Sequence, residues 1–288
     1  MKSENGTARA GILDGKAVAA RVREKIQTSA LELEKEGKTP PGLAVVLVGD
    51  DPASKVYVGQ KEKACLEVGF RSFLHRLPGT ATVGDVLSLV DSLNRDPNVH
   101  GILVQLPLPG QIEESCVLEA IDPAKDVDGF HPTSMGRLVM GLPTVMPCTP
   151  RGIMYLLSEY EVEISGKKAV VLGRSNIVGK PVAHMLMAAN ATVTVCHSKT
   201  TELETYTREA DIIIAAIGRP AFLKPQMVKK GCVVVDVGIN RLESGLAGDV
   251  DFEGVSEKAS WITPVPGGVG PMTIAMLMLN TFERYLQN

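Results

Sequence analysis

The stretch "VLGRSNIVGKP" (residues 171–181) leaves an apolar run, turns through glycine and reaches a Gly-Lys pair. A triphosphate loop needs four residues between its first glycine and that pair, then Ser or Thr to reach magnesium. Here five residues separate Gly173 from Gly179, and Pro181, which has no hydroxyl, follows Lys180. A P-loop nucleoside triphosphatase is therefore excluded. The strict dinucleotide pattern G-x-G-x-x-G fails as well, because Arg174 and Ser175 stand where a second glycine would come. What surrounds the loop has to decide.

The loop joins the apolar run "KAVVLG" (168–173) to a helical pattern near 178–190. This is the first βα turn of a doubly wound unit, in which the helix start offers N–H groups and a positive dipole end to a pyrophosphate. The next strand, "ATVTVCH" (191–197), runs into "CHSKT". An NAD site usually carries an acid there for the ribose 2′-hydroxyl. This chain has His197, Ser198 and Lys199 instead, with Arg174 in the loop. Donors and positive charge suit a 2′-phosphate, so the residues read as NADP rather than NAD. That Arg174 and Lys199 are ordinary solvated charges is the competing reading.

The rest of the chain alternates in the same way, which argues α/β with parallel sheets. Helical patterns cover 16–36, 53–68 and 82–94, between strands at 43–49, 72–77 and 101–106. Residues 122–150 are loop-rich and form the expected domain junction. A helix is expected from Thr149 as N-cap and Pro150 in the first turn. Beyond it come four strands (168–173, 191–197, 211–217, 232–238) with helices between, and a last helix from about 273. The 288 residues, 44% hydrophobic and 22% charged, suffice for two domains, and the net charge of −3 gives no global reason to expect nucleic acid or an anionic membrane as partner. The N-terminus lacks signal or transit character, no apolar run is long enough to span a bilayer, and five scattered cysteines read as reduced thiols. The expectation is a cytoplasmic protein.

Several residues outside the loop could do chemistry. Tyr57 and Lys61 lie four apart and share a helical face, although a helix lysine is most often simply solvated. Gln105 ends a buried strand, where α/β folds place ligand contacts. Asp126 and Asp128 in "KDVDGF" are either a functional pair or turn formers. No histidine stands at ligand spacing, so no metal is expected. "TPVPGGVGPMT" (263–273) is a linker or a side-chain-poor wall for a flat ligand. Ser175 is in no nucleophile elbow, and no hydrolase triad is evident.

Taken in order, "ILDGK", "YVGQKEKA", "LNRDPNVHGILVQLPLP", "KDVDGF", "PCTPRG", "GRSNIVGKP", "CHSKT", "VDVGIN" and "PGGVGPMT" resemble the bifunctional methylenetetrahydrofolate dehydrogenase/methenyltetrahydrofolate cyclohydrolase family across essentially the whole chain. The resemblance implies NADP-dependent oxidation of 5,10-methylenetetrahydrofolate, then hydrolysis of the methenyl product to 10-formyltetrahydrofolate, in one-carbon metabolism and purine biosynthesis. It implies two domains with a cleft between them. The first, 1–147, is a folate-binding α/β domain with a parallel sheet, onto which the helix 273–288 returns. The second, 148–272, is Rossmann-like and binds NADP. Lys61 matches the family's acid/base, Tyr57 the tyrosine that packs on the aminobenzoyl ring, Gln105 the glutamine that tunes the lysine, and Asp128 the pterin-binding acid. Ser54, Pro266, Gly267 and Gly270 match folate-side positions. Gly173, Arg174, Ser175, Ser198 and Ile239 match the cofactor side. A homodimer is implied, and a polyglutamate tail on the folate is left open. The rivals are a monofunctional dehydrogenase of the same fold and a non-catalytic NADP-binding module, although the latter has no reason to combine Tyr57, Lys61, Gln105 and Asp128.

Overall fold

A computed structural model of the chain describes residues 9–243 and 245–287. In chain order its elements are β1 (Gly11–Ile12), α1 (Gly15–Lys35), β2 (Gly42–Val48), α2 (Pro52–Glu67), β3 (Arg71–Leu77), α3 (Val83–Arg95), β4 (Gly101–Val104), α4 (Glu114–Ala120) and α5 (Pro132–Val139). They continue with α6 (Cys148–Glu159), β5 (Lys168–Leu172), α7 (Gly179–Ala188), β6 (Thr192–Cys196), α8 (Leu203–Thr207), β7 (Ile212–Ala215), β8 (Val233–Asp236), the hairpin β9 (Asn240–Leu242) and β10 (Gly245–Ala247), α9 (Phe252–Ser256), β11 (Trp261–Ile262) and α10 (Val269–Gln287). The chain divides into two compact units, one of Ala19–Cys148 with the segment from Ile274, the other of residues 9–18 with Thr149–Thr273.

The first unit is built on a parallel sheet ordered β3-β2-β4. Its middle strand is buried along its whole length, as a strand covered on both faces must be, and that is why its sequence is a continuous apolar run. Ala44, Val46, Ile102 and Val104 pack against Val86, Val90 and Leu93 of α3. A capping box between Thr82 and Asp85 starts that helix. α10 belongs to this unit from Ile274 onward: Phe282 stacks on Phe70 with centroids 6.2 Å apart, and Asn280 Nδ2 donates to Val127 O at 2.7 Å.

The second unit carries a parallel sheet of six strands among the described residues, ordered β1-β11-β8-β7-β5-β6. From β5 the chain first adds β6 on one side, then β7 on the other. The sheet order reverses at the carboxyl end of β5, the point where doubly wound folds bind ligands. Leu172, Ile213, Ala215, Val234 and Ile262 form the core with Leu223 and Val255.

Three expectations are corrected. Residues 9–18 do not group with the first half: β1 pairs with β11, and Leu13 N donates to Ile262 O at 2.9 Å, so backbone pairing draws the start of the chain into the second unit. The junction 122–150 contains α5 and the start of α6, which begins at Cys148 rather than after a Thr149 cap; the Thr149 hydroxyl instead meets that of Thr273 at 2.9 Å. Between β7 and β8 only a 3-10 turn, Pro225–Met227, is found among the described residues, where a helix was expected.

Candidate active site

In the first unit the chemistry gathers around α2. Asp51 caps it by accepting from Ser54 N at 2.7 Å, and Pro52 fills the first turn, where its missing N–H costs nothing. Ser54, Val58, Lys61 and Cys65 form its buried stripe, at the three- and four-residue steps of one helical face. Tyr57, one turn before Lys61, is half-buried. A lysine on such a stripe is unusual: Lys61 is only 8% exposed. Its Nζ donates to Gln105 Oε1 at 2.8 Å, and the Gln105 Nε2 donates to Leu106 O at 2.7 Å. Gln105 itself is held because its backbone N–H continues the β2–β4 ladder to Val46 O at 2.9 Å. The bond to Lys61 is therefore made by an uncharged partner fixed at a strand end.

The two acids of "KDVDGF" separate into different jobs. Asp126, 2% exposed, accepts from the N–H groups of Gly129 (3.0 Å), Phe130 (3.4 Å) and His131 (2.9 Å) and from Ser134 Oγ (3.0 Å). It is the turn former. Asp128 has none of these duties. Some of its surface stays accessible, but the atoms packed around its carboxyl desolvate it and hold its pKa above the usual carboxylate range; Lys61 pulls the other way and Asp126 adds to the rise. The carboxyl thus lies close enough to Lys61 to feel its charge. Cys148 lines the same place: its Sγ donates to Val127 O at 3.2 Å and receives Asn280 Nδ2 at 3.4 Å, and burial pushes its thiol pKa well up.

In the second unit a cavity of about 300 Å³ opens at the carboxyl ends of β5, β6 and β7. Gly173, Arg174, His197 and Ser198 line it, together with Leu203 and Phe222. Gly173 has φ +113°, and a Cβ there would lie 2.1 Å from Ala216 O; a Cβ on Gly179 would lie 2.3 Å from Gly173 O. Both glycines are thus required for steric reasons, because the turn packs closely on its own backbone and on the strand end at Ala216. The helix start is less open than the sequence implies. Ser175 Oγ accepts from Val178 and Gly179 N–H at 3.2 Å each, and Lys180 N donates to Ser175 O. Ser175 closes the loop onto α7. Lys199 is not among the cavity's lining residues.

Pro266, Gly267 and Gly270 also lie in the second unit. Val265–Pro266 is cis, Gly267 O accepts Lys16 N at 2.9 Å, and Gly270 is in the first turn of α10, with a methyl in its place standing 3.9 Å from Ile239 Cδ1. The sequence reading passed over a buried acid lattice in this unit. Asp249 accepts from Ile217 N (2.7 Å) and Gly218 N (2.9 Å) on one oxygen, and from Arg219 N (2.9 Å) and Asn240 Nδ2 (2.9 Å) on the other. Asp236 in turn accepts from Asp249 N (2.8 Å), Val250 N (2.9 Å) and Gly238 N (3.0 Å); burial outweighs these donors and lifts its pKa to about 6. "VDVG" and "GDVD" were the available signal, two acids embedded in apolar runs.

Comparison with known proteins identifies the family. A model of the tetrahydrofolate dehydrogenase/cyclohydrolase catalytic domain matches residues 13–128, and one of the same family's NAD(P)-binding domain matches residues 147–288. The bifunctional protein FolD of Pelobacter propionicus is 58% identical over 275 residues, 95% of this chain and 97% of that one. The crystal structure of the bifunctional FolD dehydrogenase/cyclohydrolase from Campylobacter jejuni superposes with a TM-score of 0.95 at 54% identity, covering 96% of this chain and 99% of that one. The Trypanosoma brucei dehydrogenase-cyclohydrolase, complexed with NADP cofactor and inhibitor, gives 0.94 at 38% identity over 98% and 100%. Both halves of the chain are matched, and the chain belongs to the tetrahydrofolate dehydrogenase/cyclohydrolase family.

Proposed function

We propose that the protein oxidises 5,10-methylenetetrahydrofolate with NADP and hydrolyses the resulting 5,10-methenyltetrahydrofolate to 10-formyltetrahydrofolate. The observation that carries the reading is the buried Lys61, bonded to the neutral Gln105 and within electrostatic reach of Asp128. Its hydrogen-bond partner is an uncharged amide fixed at a strand end, which positions the amine without an added charge.

On this reading the Asp128 carboxylate accepts the adjacent N–H donors of the pterin, a pair it suits because it offers two acceptor oxygens. Tyr57 packs on the aminobenzoyl ring, one helical turn from Lys61. Hydrolysis then needs one proton carrier. The oxygen of water bonds to the methenyl carbon and one of its protons passes to the Lys61 amine; as the bond from that carbon to N5 breaks, N5 takes that proton from Lys61, and the hydroxyl's remaining proton leaves to solvent as the formyl C=O forms. Gln105 keeps the amine in line without adding charge. Oxidation asks less of the side chains, because the folate's own nitrogen stabilises the cation formed as hydride leaves, and positioning supplies most of the help. When bound, NADP supplies the hydride acceptor. Gly173 and Gly179 let the turn fold closely on its own backbone and on Ala216, and Arg174 and Ser198, which line the cavity, would hold its 2′-phosphate, with Ile239 toward the nicotinamide.

The unit that carries Lys61 handles folate and the other handles the dinucleotide. The protein works as a cytoplasmic homodimer, and polyglutamylated folates are substrates; light scattering and a comparison of mono- and polyglutamate KM test these two points. No helix among the described residues is long and apolar enough to cross a membrane. The deciding experiment follows methenyl-folate absorbance with NADP and with NAD. Formation and decay with NADP support both activities, formation without decay leaves a monofunctional dehydrogenase, and neither leaves a binding module.

A further inference from the structure

Arg219 lines the dinucleotide cavity, yet neither its position in the motifs nor its spacing drew attention to it. It follows β7, on the opposite side of β5 from the strand end that supplies Ser198. Its backbone is unusually well fixed. The three successive N–H groups of Ile217, Gly218 and Arg219 all donate to the fully buried Asp249 carboxylate, at 2.7, 2.9 and 2.9 Å. Three successive N–H groups bonded to one buried side chain leave this turn little freedom. The side chain is placed as well: its Cζ lies 4.7 Å from the centre of the Phe222 ring, which lines the same cavity. Among the described residues no carboxylate pairs with it.

The lining of the cavity says what such a group is for. Leu172, Leu203, Ile217 and Phe222 give it apolar walls, Arg174 and Arg219 give it positive charge, and no acid lines it. That combination suits a flat heteroaromatic ring attached to anionic groups. A guanidinium is planar and stacks on aromatic faces; with one face on a ring it keeps a second for another. We infer that Arg219 is a cofactor-binding residue whose guanidinium, carried by Phe222 and by the Asp249-bound turn, stacks on the adenine ring of the dinucleotide. This rests on the proposed NADP reading and adds to it a division of labour. Arg174 meets the phosphate that distinguishes NADP from NAD, whereas Arg219 meets the base that both share.

The test is calorimetric titration of the full chain with NADP, NAD and 5′-AMP, for wild type, Arg219→Gln and Arg219→Lys. Arg219→Gln weakens all three ligands by the same factor, on the order of five- to thirty-fold for a stacked cation removed from a partly desolvated site. Arg219→Lys recovers little, since an ammonium has charge but no plane. A loss confined to NADP would make Arg219 a second phosphate reader, full rescue by lysine would make charge alone sufficient, and unchanged affinities would leave it a surface residue; each overturns the inference. If the wild type bound none of the three ligands, the NADP reading itself would fall, which is a separate and recognisable outcome.

Discussion

Replacing Lys61 by arginine tests the proton-transfer role most directly. Lys61 is 8% exposed and hydrogen-bonded to Gln105 Oε1 at 2.8 Å. Arginine keeps the positive charge beside Asp128 and can still donate to Gln105, but a guanidinium stays protonated and cannot accept a proton from water. Methionine removes the charge at similar length. It also leaves the half-buried Gln105 Oε1 without its donor, at about 1 kcal/mol, and takes away the cation that opposes the upward shift of Asp128. The two variants therefore disturb stability differently and the proton relay alike. General acid–base catalysis contributes ~10²–10⁴-fold, equivalent to about 3–5 kcal/mol of barrier, so both variants are expected to lose methenyl hydrolysis by at least that factor. The dehydrogenase rate, read in the same cuvette, falls less, because hydride transfer calls for no such base. Titration with NADP alone is unaffected, since Lys61 and the dinucleotide cavity belong to different units. If Lys61→Arg hydrolyses methenyl-folate at near wild-type rate across neutral pH, Lys61 is a fixed charge or a spacer and the mechanism is wrong.

Arg174→Ala should weaken NADP by about 1.5–3 kcal/mol, the cost of a charge-assisted phosphate contact, and leave NAD almost unchanged; equal losses by titration would remove the 2′-phosphate assignment. Asp128→Ala should raise the folate KM of both activities and spare NADP binding, and abolition of one activity at unchanged folate affinity would point to direct catalysis instead. Asp236 should make stability depend on pH in the sense opposite to an ordinary ion-paired acid. Its pKa is lifted from 3.8 to about 6 in the folded chain, so the native state binds the extra proton. The stabilisation is fully present below pH 3.8, is lost as pH rises through about 6, and amounts to roughly 3 kcal/mol. Denaturant unfolding of Asp236→Asn across that window should lack this component of the slope, and an unchanged slope would assign it to another group.

Much of the architecture is legible in the sequence because it rests on local signals. β2 and β5 are apolar runs closed by glycine, and α3 begins at a capping box that can be read from Thr82 and Asp85 alone. The elements the sequence does not reveal are those whose stability is not local. β1 and β11 are two residues each and exist only because they pair with each other and with β8. No periodicity can announce a strand that short. The early start of α10 at Val269 is hidden for a related reason: Gly268, Gly270 and Pro271 look like breakers, yet proline and glycine near a first turn lack little that a helix needs there.

The candidate site shows the same division. Tyr57 and Lys61 can be paired on the page because four residues along a helix bring side chains together. That Lys61 meets Gln105, forty-four positions later, follows only once β2 and β4 are seen to be neighbours. The acids are the harder case. Asp126, Asp128, Asp236 and Asp249 all sit in short apolar contexts, and composition treats them alike. Their roles diverge with the number of backbone donors each one faces. Asp126 and Asp249 each take four donors, three of them backbone N–H groups, and hold turns, Asp236 holds the backbone of Asp249 itself, and Asp128 is left with the Lys61 amine and the Cys148 thiol nearby and its acceptors uncommitted to the backbone. A carboxylate already bonded to three or four donors has at most one lone pair left, too few for a pair of ligand donors. Counting donors around each buried acid therefore separates the residue available for a pterin from those that build the walls, a distinction that depends on folded geometry and cannot be drawn from spacing.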